Sequence, residues 1–176
     1  MVKLFMTNIR IADKQDAELI AELSQQTFIE TFASTNSKEN MDKFLRESFS
    51  KEILMKEAGE SGNIFLLAYE NEKPVGYVRM REDNNPPELT GTSSLEIARI
   101  YVIKNAIGKG FGKLLMQKCV AIAKEKNKAV MWLGVWEHNK PAIDFYMNWG
   151  FEKFATHIFK LGDDNQTDWL MKKSVI

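Results

Sequence analysis

The chain has 176 residues, the length of one domain, and its 44% hydrophobic and 27% charged residues suit a folded domain with its own core, which excludes a disordered or fibrous chain. Its 24 Lys and Arg balance 24 Asp and Glu, so there is no basic excess to point to a nucleic acid or a membrane surface, and any acidic pocket has to be local. A single cysteine, Cys119, excludes an internal disulfide, the run from Met1 to Thr7 is too short for a signal peptide, and no stretch approaches the roughly 20 apolar residues of a membrane span, so the expectation is one cytoplasmic domain over residues 1–176.

Ile9-Arg10-Ile11 alternates apolar and polar residues and reads as the end of a first strand. Asp13 has the position of an N-cap, with Asp16 in the first turn of a helix over residues 14–32 that shows Ile20, Leu23 and Thr27 on one face. Ser37 and Ser50 cap two shorter helices, one carrying Met41, Phe44 and Leu45 and the other Ile53 and Leu54. Residues 64–69 and 75–80 form a hairpin around Asn71-Glu72-Lys73-Pro74, and residues 82–93, with two prolines and a glycine, read as the most mobile loop. Residues 95–103 give the strongest strand pattern in the chain. A glycine-rich turn follows, then an amphipathic helix through Leu114, Leu115, Cys119 and Ile122, and a buried strand over residues 130–135. Asn139 or Lys140 opens a short helix that stops before Gly150. Two final strands, residues 151–161 and 169–172, are joined by a turn over residues 162–166. This order predicts an α/β domain around a single mixed sheet of about seven strands.

The segment Ile107-Gly108-Lys109-Gly110-Phe111-Gly112-Lys113 lies between the strong strand and a helix. Glycines let the backbone approach a phosphate closely and turn successive N–H groups into one concavity, and a helix N-terminus adds partial positive charge. Lys109 and Lys113 could add full charges. A P-loop is excluded because Leu114, not Ser or Thr, follows Gly112-Lys113. A dinucleotide fingerprint is excluded because the glycines alternate and the turn follows the fourth strand.

This turn resembles the Q/R-x-x-G-x-G/A motif of the Gcn5-related N-acetyltransferases, with Gly110 and Gly112 at the glycine positions and Ile107 where that family usually has Gln or Arg. The segment from Asn139 through Ala142, Phe145 and Tyr146 to Gly150 and Phe151 resembles the family's second motif, N-x-x-A-x-x-F-Y-x-x-x-G-F. The resemblance implies a mostly antiparallel sheet flanked by helices. It implies acetyl-coenzyme A as co-substrate, held by the strand end Ile100-Tyr101-Val102, by residues 107–113 and by Asn139 at the pantetheine amides. It also implies Tyr146 as the acid that protonates the leaving thiolate.

The acceptor must lose a proton before it attacks, and Glu96 is the first choice of base. Period-two alternation places it on one face with Ala98, Ile100 and Val102, and an apolar strand should make its carboxyl hold a proton more tightly. The alternative is a structural salt bridge to Arg79 or Arg99. His138 and His157 have no ligand partners at metal spacing, so no metal is expected. Cys119 lies on an apolar stripe and reads as core.

The stretches 95–101, 132–137 and 162–168, together with 27–41, resemble the bacterial PaiA-type spermidine/spermine acetyltransferases, with Ala98 standing where a second strand glutamate would be expected. The resemblance implies a polyamine acceptor, with Glu30, Glu96 and Trp136 on its binding side, in a monomer or homodimer. A protein N-terminus or an aminoglycoside is the rival acceptor, and a non-catalytic coenzyme-binding regulator the rival class.

Overall fold

The computed structural model describes residues 7–82 and 84–175. Most of the N-terminal run considered above, residues 1–6, lies outside them. Strands β1 (Thr7–Ile11), β2 (Asn63–Glu70), β3 (Lys73–Glu82), β4 (Ser94–Val102), β5 (Val130–Trp136), β6 (Glu152–Leu161) and β7 (Asp164–Ser174) form one sheet in the order β1-β2-β3-β4-β5-β7-β6. Only β4 and β5 run parallel; every other neighbouring pair is antiparallel. Helices α1 (Ala17–Phe32), α2 (Lys38–Glu47) and α3 (Lys51–Gly59) cover one face, and α4 (Phe111–Glu125) and α5 (Lys140–Asn148) pack on the other.

The helix starts follow from local hydrogen bonding. Asp13 accepts from the Gln15 N–H at 2.8 Å while Asp16 accepts from the Asp13 N–H at 2.8 Å, a reciprocal cap on a short 3-10 turn that runs into α1. Ser37 and Ser50 cap α2 and α3 through their hydroxyls. Alternation along β2 and β3 then divides the core. Leu66, Val78 and Met80 pack with Leu115, Met116, Cys119 and Ile122 of α4, while Phe65, Leu67 and Tyr77 pack with Ile20 and Leu23 of α1. Phe28 joins the first three helices, its ring 4.7 Å from that of Phe44 and 5.0 Å from that of Phe49.

Two details of the sheet decide where a ligand can enter. The first is a β-bulge. Arg79 pairs with Arg99 and Met80 with Ile97, so Ala98 is the extra residue of β4. The bulge inverts the alternation. Leu95 and Ile97 before it, and Ile100 and Val102 after it, all join the cluster under α4. Glu96 therefore does not share a face with Ile100 and Val102, as strict alternation requires, but points to the α1–α3 side with Arg99 and Tyr101. The second is that β4 and β5 pair only over Ser94–Val130, Leu95–Met131 and Glu96–Trp132. Beyond these pairs β4 stays with β3 and β5 stays with β7 to Trp136, and the sheet opens into a wedge.

The expected final turn and strand are corrected. The last hairpin turns tightly at Gly162 and Asp163, and β7 starts at Asp164, so the five-residue turn and short final strand give way to a long two-stranded ladder. The connection between β3 and β4 contains a 3-10 turn (Pro87–Leu89). Leu89 is buried against Trp132 and Leu170, and the Asn85 amide donates to the carbonyls of Leu89 and Thr92 at 2.9 and 2.7 Å.

Gly76 lies opposite Val102 at the mouth of the wedge. A Cβ there would stand 2.7 Å from the Tyr101 carbonyl oxygen. Gly76→Ala should displace the free end of β4 and destabilise the protein by about 1–3 kcal/mol, the usual cost of overpacking. Chemical denaturation checks this, and an unchanged midpoint with an unchanged slope would show that β4 yields freely.

Candidate functional site

The wedge is bounded by two strand edges. The Ile103 N–H donates to the Val75 carbonyl at 2.8 Å, so alternate residues of the end of β4 bond to β3 and those between them, Ile100 and Val102, direct their N–H and C=O groups away from it, toward the wedge. Opposite lie Leu133 to Trp136 of β5, bonded on their other side to β7. Backbone groups need partners. An extended, amide-bearing chain laid between these edges would supply them as an added strand does.

At the open end of β4 a 3-10 turn (Lys104–Ala106) leads through exposed Ile107 to the glycine turn. Gly108 has φ +83° and Gly110 φ +91°, both left-handed, and Gly110 is the N-cap of α4. The amides of Phe111, Gly112 and Lys113 fall in the first helical turn, which has no intrahelical acceptors for them. Phe111 itself is buried, and a Cβ on Gly112 would stand 3.8 Å from the ring of Phe145, which places this turn beside α5. The arrangement suits an anion. Lys113 is exposed on that first turn. The Lys109 ammonium is partnered, with its Nζ 3.1 Å from a Glu70 oxygen.

Asn139 caps α5, its side-chain oxygen accepting from the Ala142 N–H at 3.3 Å, and its amide nitrogen keeps two donors outside the cap. About two turns later Tyr146 is buried between the rings of Phe145 and Phe151, at 5.5 and 6.0 Å. Its hydroxyl makes no hydrogen bond among the described residues. Burial raises the phenol above its ordinary range, with the nearby Cys119 thiol adding to the shift, so it is held protonated. The Cys119 thiol is itself pushed up to about 12 by burial and is a core group, as its apolar stripe implies. The Tyr101 phenol is raised mainly by burial and then by the phenols of Tyr77 and Tyr146.

The α1–α3 side of the wedge is charged and aromatic. Glu96 accepts from Arg81 through both oxygens, at 2.6 and 2.8 Å, and from the Asn84 amide at 2.8 Å. Its surroundings are not apolar, and its partner is neither Arg79 nor Arg99. Those two share Glu57 of α3, each with an N···O contact of 2.7 Å. Glu30 is exposed and engaged elsewhere: it accepts from the Lys104 N–H at 2.7 Å and from Gln26 at 2.9 Å, bracing the turn beyond β4. Trp136 packs at a steep angle on Phe32, 6.3 Å between centroids, with exposed His138 at 5.2 Å. Asp168 of β7 lies beside Trp136, and His157 of β6 lies beside Asp168, with Nε2 3.4 Å from Oδ2. The carboxylate raises His157 against the opposing effect of burial. Sequence reading misses this pair because its members are 11 positions apart on two strands, and only the ladder register joins them.

Among the described residues no group of three or more His, Cys, Asp or Glu is placed to hold a metal ion, and no helix is long and apolar enough to cross a membrane.

Comparisons with known proteins agree with this geometry. The model of the acetyltransferase (GNAT) family matches residues 19–151. An uncharacterised N-acetyltransferase from the pepI 3′ region of Lactobacillus delbrueckii subsp. lactis is 38% identical over 168 residues, 96% of each chain. A spermidine N(1)-acetyltransferase of Thermoplasma acidophilum is 27% identical over 169 residues, 94% of this chain and 95% of its own. Among solved structures, the PaiA N-acetyltransferase of the same organism in complex with coenzyme A superposes with a TM-score of 0.78 at 25% identity, covering 96% of this chain and 99% of that one.

Gly110→Val puts a β-branched residue at φ +91° and a side chain where the anion must approach, and should weaken coenzyme A binding at least tenfold, about 1.4 kcal/mol. Gly112→Ala, whose Cβ would only touch the Phe145 ring at 3.8 Å, should bind within a few-fold of the parent. Calorimetry on both folded variants decides; equal affinities for the two would move the phosphate site away from Gly110.

Proposed function

The chain belongs to the GNAT acetyltransferase family, and from that premise we propose that it transfers the acetyl group of acetyl-coenzyme A to a small amine of the polyamine class, directly, within a complex of both substrates. The observation that carries the coenzyme half is the wedge: two free strand edges, a glycine turn at a helix N-terminus, and a buried phenol on the helix beside that turn. In this reading Ile100 and Val102 bind the pantetheine arm through backbone groups, with Asn139 adding its free amide; Tyr101, expected to join them, spends its own backbone groups on β3. The turn over residues 107–113 receives the pyrophosphate, with Lys113 nearby.

The chemistry is an attack of the neutral amine on the thioester carbon. A C–N bond forms, the C–S bond breaks, and its electron pair stays on sulfur. Tyr146 supplies the proton that sulfur needs. Its buried phenol is neutral at working pH, the state a proton donor must be in.

The polyamine half rests on two supports. The α1–α3 side of the wedge carries Glu96, its side chain 7% exposed, and Asp168, 14% exposed, with Trp136 between them and α1, a surface suited to a flexible cation. The Thermoplasma relative named a spermidine acetyltransferase aligns over nearly the whole chain. The Arg81 guanidinium offsets Glu96, so the net negative charge offered to a cation comes mainly from Asp168.

Two measurements test the reading. Tyr146→Phe keeps the ring and removes the proton, and kcat should fall roughly 10²-fold with little change in coenzyme affinity, the scale of one acid–base group; an unaffected kcat would make the phenol a packing residue. In an amine series, spermidine and spermine should exceed a monoamine and a peptide with a free N-terminus at least tenfold in kcat/KM. Their advantage should shrink with salt as the Debye length falls to about 10 Å at 0.1 M. A peptide that wins at both salt concentrations would overturn the acceptor class and leave the coenzyme site standing.

A further inference from the structure

We propose that His157, oriented by Asp168, takes the proton that the acceptor ammonium must lose. The inference rests on the acetyl-transfer reading and assigns a step within it.

The geometry comes from three strands. His157 and Asp168 face each other in register on β6 and β7, and Asp168 is in register with Trp136 on β5. Gly134, on the stretch of β5 that β4 has left, is exposed. A Cβ on it would stand 3.6 Å from Asp168 Oδ2 and 3.6 Å from His157 Cε1. The missing side chain leaves the pair open toward the wedge, where any larger residue at 134 would cover it. The carboxylate of Glu96 on β4 also raises His157, and that of Asp168 raises Tyr101.

The protonation states fit the task. Asp168 beside Nε2 favours a proton on that nitrogen and leaves the Nδ1 lone pair as acceptor. The charged groups that act on His157 are Asp168 from β7 and Glu96 from β4, the latter bound by Arg81 of β3; Gly134 and Trp136 of β5 bring no charge. Asp168 raises His157 above its ordinary value by favouring the charged ring, so the pair takes up a proton more readily than a free imidazole would. Half of its side chain surface is covered and the rest is open, 45%, so a captured proton has a route to water. Glu96 has no such route, being 6% exposed under Arg81 and Asn84.

The balance closes. The ammonium gives one proton to His157 Nδ1 and thence to solvent, and the neutral amine attacks. Tyr146 protonates the departing sulfur. The second amine proton, carried on nitrogen after attack, restores the Tyr146 phenol. The products are the amide, the free thiol and one proton released.

The test is the pH dependence of kcat in His157→Gln, Asp168→Asn and Glu96→Gln, beside a histidine NMR titration of the parent and Asp168→Asn. A base is active when unprotonated, so activity falls on the acid side as His157 takes up a proton. His157→Gln should lower kcat roughly 10²-fold and flatten that acid limb. Asp168→Asn removes the group that raises His157, so both the limb and the NMR midpoint should move to lower pH. Glu96→Gln should keep the limb. Coenzyme affinity should be unchanged in all three. A limb at its parental midpoint in both His157→Gln and Asp168→Asn, or one abolished by Glu96→Gln alone, overturns the assignment. Absence of thiol release by the parent with every amine would instead overturn the acetyl-transfer reading, with the NMR midpoint still reporting whether the pair is coupled.

Discussion

Everything at the site depends on β4 and β5 sharing three register pairs and then parting. Parallel neighbours normally stay paired along their length, because each lost ladder bond leaves a buried donor or acceptor without a partner. Here each strand is secured on its far side, β4 through the ladder to β3 and β5 through seven pairs to β7, so the opening costs the sheet little cohesion. It leaves free edges where a ligand's own amides can finish the sheet. The bulge at Ala98 falls where the strands part, which ties the change in direction of β4 to the change in side-chain face.

The bulge also sets the electrostatics. Because it inverts the alternation, Glu96, Arg99 and Tyr101 come to one face with Arg79 and Arg81 of β3. Three guanidiniums there are met by two carboxylates, Glu57 and Glu96. Arg99 also lies over the ring of Phe49 at 4.7 Å. Removing one partner of such buried pairs costs about 3–5 kcal/mol, because it leaves a charge uncompensated. The row is therefore a rigid base for the α1–α3 side of the wedge.

Several residues at the rim work twice. Asn139 caps α5 with its oxygen and keeps its amide donors. Glu30 receives the first N–H after the turn from β4 and so fixes the approach to the glycines. Gly112 lies beside Phe145 of α5, which sets the glycine turn next to the helix that carries Tyr146. A side chain locked by a structural hydrogen bond holds its remaining polar atoms in place before a ligand arrives, which lowers the entropy cost of binding.

The sequence by itself determined the element order, the three serine and aspartate caps, the glycine turn at a helix N-terminus and the helix with Asn139 and Tyr146, because each is set by residues within a few positions of one another. It also carried the family motifs, which are local for the same reason. It could not determine the face of Glu96, since a one-residue bulge is invisible to period-two alternation and flips every residue beyond it. The partners of Glu96, Arg79 and Arg99 were equally out of reach: each guanidinium had several carboxylates at plausible separations, and only the β3–β4 register and the docking of α3 chose among them. The pairing of His157 with Asp168 beneath Gly134 required three strands from distant parts of the chain to be laid side by side. Tertiary structure decided it because long-range register, not local pattern, sets which side chains meet across a sheet.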